Sequence, residues 1–227
     1  MESTNQKSPE ILEDSPLENL PPKGARRFIR ILGANFWELI KLNFLFTLFC
    51  LPVVTIPAAC TAMSYVCYKM VSVQPYQTWT DFWNRFRSEF MRSLAVGLLY
   101  GLTLGALVYL LVFYKGVLFF QAGLTGYAVS ALLVIGIFFF FQASVYSFAL
   151  LGIVHLPLAA VLSNSFRLVI VRPLAEIISF LFFAALTTIM VLTFPFTVPL
   201  IFFLYFGPVC FVCIYAARPG IQMCLIS

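Results

Sequence analysis

From Ser93 to Leu151 the chain carries a single charged side chain, Lys115. Apolar runs of that length leave few options, because a soluble domain of this size has no interior large enough to hide them. The whole chain has the same character: 62% of its 227 residues are hydrophobic and 10% are charged. An ordinary soluble domain is about half apolar and about a quarter charged. Lipid is the solvent that fits a mean hydropathy of +0.97.

The apolar runs predict an all-α polytopic membrane protein with six spans in three hairpins. The spans fall at about 36–54, 58–73, 93–113, 127–151, 174–194 and 196–215. The first break is "LPVVTIP", where Pro52 and Pro57 each remove a backbone donor. A helix running unbroken from Phe36 to Val73 would be about 57 Å long, against a hydrocarbon core of about 30 Å, so a turn is expected there. "FPFTVP" makes the last turn.

Charge sets the orientation. With the N-terminus inside, every Lys and Arg except Lys115 falls on the cytoplasmic side. Both termini are therefore expected in the cytoplasm, in a multi-pass protein of the cell membrane. Residues 1–22, with Glu10, Glu13, Asp14 and Glu18 among proline steps, read as a disordered cytoplasmic tail and not as a signal peptide. Residues 23–227 form the membrane domain. It opens on a basic stretch, Lys23, Arg26, Arg27 and Arg30, interleaved with Phe28, Ile29, Ile31 and Leu32, which fits a short interfacial helix.

One phrase is written twice. "NRFRSEFMRSLA" begins at Asn84 and "NSFRLVIVRPLA" at Asn164, and six of the twelve positions match. Both copies fall in cytoplasmic connections, so the duplication, over about 58–113 and 138–194, is parallel. In the first copy Phe82, Phe86 and Phe90 share one helix face, flanked by Trp79 and Trp83. Asp81 stands four before Arg85, the favourable order for a helix pair, and Thr78 or Thr80 can cap the start. Arg85, Arg87 and Arg92 are then expected to point to anionic lipid or to a partner protein. In the second copy Arg167 and Arg172 have more apolar surroundings, which predicts burial. Glu176, four after Arg172, is its expected partner in a buried ion pair. Glu38 and Lys41 form an interfacial pair at i, i+3.

No catalytic, cofactor or metal site is expected. Cys210 and Cys213 form a CxxC inside an apolar run with no second pair, so these thiols, with Cys50, Cys60, Cys67 and Cys224, are expected to pack as small hydrophobes. His155 is the only histidine. A Gly-rich phosphate loop, a nucleophile–base set and a nucleic-acid motif are all missing from the sequence.

"FWELIKLNFLFTLFCLPVVTIPA", "SYVCYKM" and "DFWNRFRSEF" resemble the YesL-like family of small membrane proteins of Gram-positive bacteria, and "HLPLAAVLSNSFRL" is similar to its second cytoplasmic segment. That family is commonly encoded beside carbohydrate ABC importers. The resemblance implies an accessory or assembly subunit of an oligosaccharide importer, docked on the permease subunits. With no Walker motif and no "EAA…G" loop, the chain fits neither the ATPase nor the pore subunit. The alternatives are a membrane-bound sensor or regulator partner and an independent small-solute transporter, for which Thr103, Gln121, Gln142, Ser144, Thr187 and Thr188 would supply the polar lining. In a cysteine-free background, Lys115→Cys should react with an impermeant maleimide in intact cells, and Arg87→Cys only after permeabilisation. Reaction of both from one side contradicts the six-span topology.

Overall fold

A computed structural model describes residues 25–118, 123–154, 156–171, 173–193 and 205–226. The described residues are helical, with no strand among them. The elements are α1 (Ala25–Ala34), α2 (Phe36–Phe49), a 3-10 turn (Val53–Thr55), α3 (Ile56–Ser72), α4 (Thr78–Ser88), α5 (Phe90–Leu118), α6 (Gly123–Ile153), α7 (Leu158–Val171), α8 (Pro173–Leu192) and α9 (Phe206–Ile226). Several expectations concern residues outside the described set: the tail 1–22, Gln121, His155, Arg172 and the turn at 194–199. The side chains of Lys115, Glu176 and Cys224 are outside it too.

The proline pair breaks the chain where expected. Pro52 is extended at the entry to the 3-10 turn, and Pro57 stands in the first turn of α3, where a missing N–H costs nothing. The Thr55 hydroxyl closes the turn on the carbonyls of Phe49 and Pro52. At its other end α3 stops on Val73, a β-branched residue held at φ 57°. Left-handed backbone is unfavourable for such a side chain, and the Val73 and Gln74 amides answer it by bonding the Met70 and Lys69 carbonyls.

Two described helices are long and apolar enough to cross a membrane: α5 over Phe90–Tyr114 and α6 over Gly126–Ile153. A third is reached if α1 and α2, bent by 67° at Asn35, count as one span. The apolar helices Leu158–Val171, Ile177–Ile189 and Phe206–Arg218 are shorter. Apolar helices of this kind point to a membrane protein. The bend is braced, since Asn35 Nδ2 donates to the Ile31 carbonyl at 2.8 Å and the Tyr76 hydroxyl donates to Asn35 Oδ1. Burial, with the charge of Glu38 nearby, pushes the Tyr76 phenol up to about 12, so it stays a donor across the physiological range.

The helix expected as the second span lies at the centre of the protein. α3 has 17 residues, and Ala59, Ala62, Val66, Cys67 and Val71 are fully buried. Helices α2, α4, α5, α6 and α9 surround it or its neighbours. Within lipid, helices gain little from burying apolar surface against each other, so close backbone approach through small residues has to hold them. Gly152 of α6 illustrates this: a Cβ there would sit 2.7 Å from the Thr61 carbonyl oxygen of α3. Farther out, α5, α6 and α8 turn Leu102, Leu132 and Leu181 outward, a surface suited to hydrocarbon.

Gly152→Ala should lower the thermal midpoint by the equivalent of about 1–3 kcal/mol, the usual cost of overpacking. Gly136→Ala is the control, because nothing lies within 4 Å of its added methyl; it should leave the midpoint unchanged or raise it.

Candidate functional site

The first repeated phrase is built into α4 and the first turn of α5. Phe82 and Phe86 face inward, and Phe49 of α2 meets them at ring separations of 5.5 and 5.1 Å. Phe90 continues the stack 5.7 Å from Phe86. The aromatic face is therefore the one the spacing predicts.

The charged side chains go elsewhere than predicted. Asp81 does not pair with Arg85. Its carboxylate accepts from Lys69 Nζ at 2.9 Å and from the Gln77 amide at 2.9 Å, so it reaches back to cap α4 while tying α4 to the last turn of α3. The threonine cap is also corrected. Thr78 donates to Glu38 Oε2 at 2.6 Å, a charged acceptor that outcompetes a backbone amide. The Glu38–Lys41 pair forms as expected, at 2.6 Å.

Arg85 lies with its guanidinium carbon 4.4 Å from the Tyr65 ring centre, where Lys69 also approaches at 5.0 Å. One of its nitrogens is 3.7 Å from Glu89 Oε1. Arg92 donates to Glu89 Oε2 at 3.0 Å and to the carbonyl of Leu156, just beyond the end of α6. The Glu89 side chain is 5% exposed, so one carboxylate is held out of water between two arginines. An ionic chain thus runs from Asp81 through Lys69, Tyr65, Arg85, Glu89 and Arg92 to Leu156. Arg85 is therefore held inside the protein, and Arg92, about a third exposed, is tied to Glu89 and Leu156 along one side. Glu89 was open to prediction: it is the one acid in "FRSEFMR", four after Arg85 and three before Arg92.

Arg87 keeps its outward position. Trp79, Trp83 and Arg87 recur at i, i+4 and i+8, and the tryptophans are 61% and 42% exposed. Beside them a shallow cleft is lined by Lys41, Phe44, Leu48, Thr78 and Trp79.

The second phrase spans the junction of α7 and α8 as the first spans that of α4 and α5. Each short helix folds back on the helix before it: Arg85 rests on Tyr65, and Ser165 Oγ meets Ser147 Oγ at 2.8 Å. Phe166, matched to Phe86, lies 5.4 Å from Phe140 and 6.4 Å from Tyr100. Val169, matched to Glu89, is buried as Glu89 is. Arg167, matched to Arg87, is exposed, which corrects its expected burial. The covered face of α7 holds Val161, Ser165, Leu168 and Val169, and Arg167 falls outside it with Ile170 and Val171. The proposed Arg172–Glu176 pair lies outside the described residues.

Among the described residues, the polar groups that a solute path would use are bonded within or between helices. Gln142 donates to Ser179, Thr187 meets Tyr205 and the Phe183 carbonyl, and the hydroxyls of Thr103, Ser144 and Thr188 bond carbonyls of their own helices. Two cavities among the described residues are lined mainly by apolar side chains. One of about 140 Å³ is lined by Phe46, Cys60, Met63, Cys210 and Cys213 among others. A crevice of about 650 Å³ between α5, α6 and α8 is lined wholly by Leu, Val, Ile and Phe.

Residues 39–111 match the model of a family described as "Protein of unknown function, DUF624". The match runs from α2 into α5 and so contains the whole ionic chain except its last acceptor, Leu156. Comparison with curated proteins and with solved structures gives no match.

Proposed function

We propose that the chain is a non-catalytic membrane subunit, YesL-like in family, that docks on the permease of a carbohydrate ABC importer through the outer face of α4. The observation that carries the docking mode is the stripe Trp79–Trp83–Arg87. Internal partners take up the other arginines of the first phrase, and two exposed tryptophans align with the arginine that is left outward. Tryptophan and arginine are the side chains that most often dominate binding energy at protein interfaces. Arginine adds a fork that can hold a carboxylate by two bonds.

The importer as partner rests on the family resemblance, and the six-span topology with cytoplasmic termini belongs to the same proposal. That topology puts α4 and α7 on the cytoplasmic side, beside the part of an importer that couples to its ATPase. The independent-transporter reading is less well served, because the described intramembrane polar groups are taken up by neighbouring helices.

Copurification from native membranes tests the proposal. The wild-type chain should bring down the permease. Trp83→Ala and Arg87→Glu should each weaken recovery at least about tenfold, the effect of losing roughly 1.4 kcal/mol at a hot spot. Arg167→Glu should weaken the same complex if the two phrases are related docking elements. Equal recovery with wild type and all three variants, at matched expression, contradicts docking through α4.

A further inference from the structure

The acids of this chain are gathered at one end. Five of the nine, Glu2, Glu10, Glu13, Asp14 and Glu18, precede residue 19, with Lys7 the one cation among them. From Lys23 onward, thirteen Lys and Arg meet four acids. Three of those four are taken: Glu38 pairs with Lys41, Asp81 with Lys69, and Glu89 with Arg85 and Arg92. The acidic stretch also carries Ile11, Leu12, Leu17 and Leu20 between its charges. A surface that answers it needs cations beside exposed apolar groups.

The outer face of α4 meets both needs. Glu89 is shared by two arginines, so the ionic chain holds one cation more than it has anions. Arg87, exposed, adds another. Trp79 and Trp83 stand in line with it, and the cleft beside Trp79 has Phe44 and Leu48 of α2 on its other wall, 53% and 47% exposed. Helix α1 offers the exposed charges of Arg26 and Arg30, but Ile29 is its one exposed large apolar side chain.

The N-terminal stretch is also long enough and starts from the right place. α1 has 10 residues, about 15 Å. Just beyond it stands Asn35, whose side chain is bonded to Tyr76, two residues before α4 begins. The 11 residues of α4 add about 16 Å. With the contact between them, the far end of the stripe lies within about 40 Å of Ala25. An extended chain covers up to about 3.6 Å per residue, so Asp14 can stand about 40 Å from Ala25 and Glu10 about 54 Å.

We infer that residues 10–20 dock on the outer face of α4 in the same molecule, with acids towards Arg87 and leucines against Trp79, Trp83 and the cleft. Exposed ion pairs are individually weak. A tether supplies the high effective concentration that lets weak contacts hold, and a partner can still displace them. An acidic segment is also repelled by the negative surface of the inner leaflet, which leaves the basic face of α4 as its better resting place. The bound segment covers the face proposed above to receive the permease, so the two exclude each other. That exclusion, though not the contact itself, rests on the docking reading.

Photo-cross-linking of the full chain in neutral detergent, with p-benzoylphenylalanine in place of Ser15, reads the contact directly. Peptide mapping of the monomer should place the adduct within residues 41–48 or 79–87. Arg87→Gln should lower its yield at least about threefold, as should changing Glu10, Glu13, Asp14 and Glu18 together to Gln. Salt at about 1 M should do the same, and Arg167→Gln should leave the yield unchanged. Adducts centred on α1 or α7, a yield indifferent to all of these changes, or a product confined to dimers overturns the contact; the dimer result would mark the segment of a second copy. The four-glutamine variant should also raise permease recovery from native membranes several-fold. Unchanged recovery beside an intact cross-link overturns the exclusion. A permease missing with both wild type and variant contradicts the importer reading alone, and the cross-link still decides the contact.

Discussion

Glu89 is one carboxylate, almost wholly out of water, with an arginine before it and an arginine after it. Withdrawing such a group from water costs several kcal/mol, and only close cations and hydrogen bonds offset that cost. Arg85 and Arg92 supply both, and in doing so they fix the geometry around them. Arg85 must lie on Tyr65 of α3, and Arg92 must reach the Leu156 carbonyl beyond α6. The junction of α4 and α5 is thereby tied to the two helices that precede and follow it. The direction in which α4 presents its outer face follows from that tie.

This explains why the arginines of one phrase separate in role. Arg85 and Arg92 satisfy an internal carboxylate, and Arg87, on the opposite side of α4, is left to face outward with Trp79 and Trp83. The second phrase repeats the layout without the ions. Val169 stands where Glu89 does, Ser165 replaces Arg85, and the chain is held by the Tyr100–Ser147–Ser165 hydroxyl series. Two short helices with matching sequence phrases are thus anchored by different chemistry, ionic in one and hydroxyl in the other, and each leaves a matched arginine exposed.

The helices themselves were largely legible in the sequence. Pro52 and Pro57 place the first turn, the Phe82–Phe86–Phe90 spacing gives the inner face of α4, and α5 and α6 follow from their apolar length. What stayed hidden were contacts set by tertiary structure. The local i, i+4 rule pairs Asp81 with Arg85, but Lys69 arrives from the end of α3 and takes the carboxylate. Composition gives Arg167 apolar neighbours in sequence, but only one face of α7 is covered and Arg167 is off it. Composition marks α3 as an apolar span but does not say that its alanines are buried under five neighbouring helices.

The central claim is that the Glu89 ion pairs, and not lipid or solvent, hold Arg85 and Arg92. A double-mutant cycle on unfolding in neutral bicelles measures this directly. Glu89→Gln should cost about 3–5 kcal/mol, because it strands two arginines, and Arg92→Gln somewhat less, because Arg92 is partly exposed. The Glu89→Gln/Arg92→Gln double variant should be little worse than Glu89→Gln alone, which is the signature of one shared interaction. Small single effects that simply add would contradict the account and return Arg85 and Arg92 to the surface.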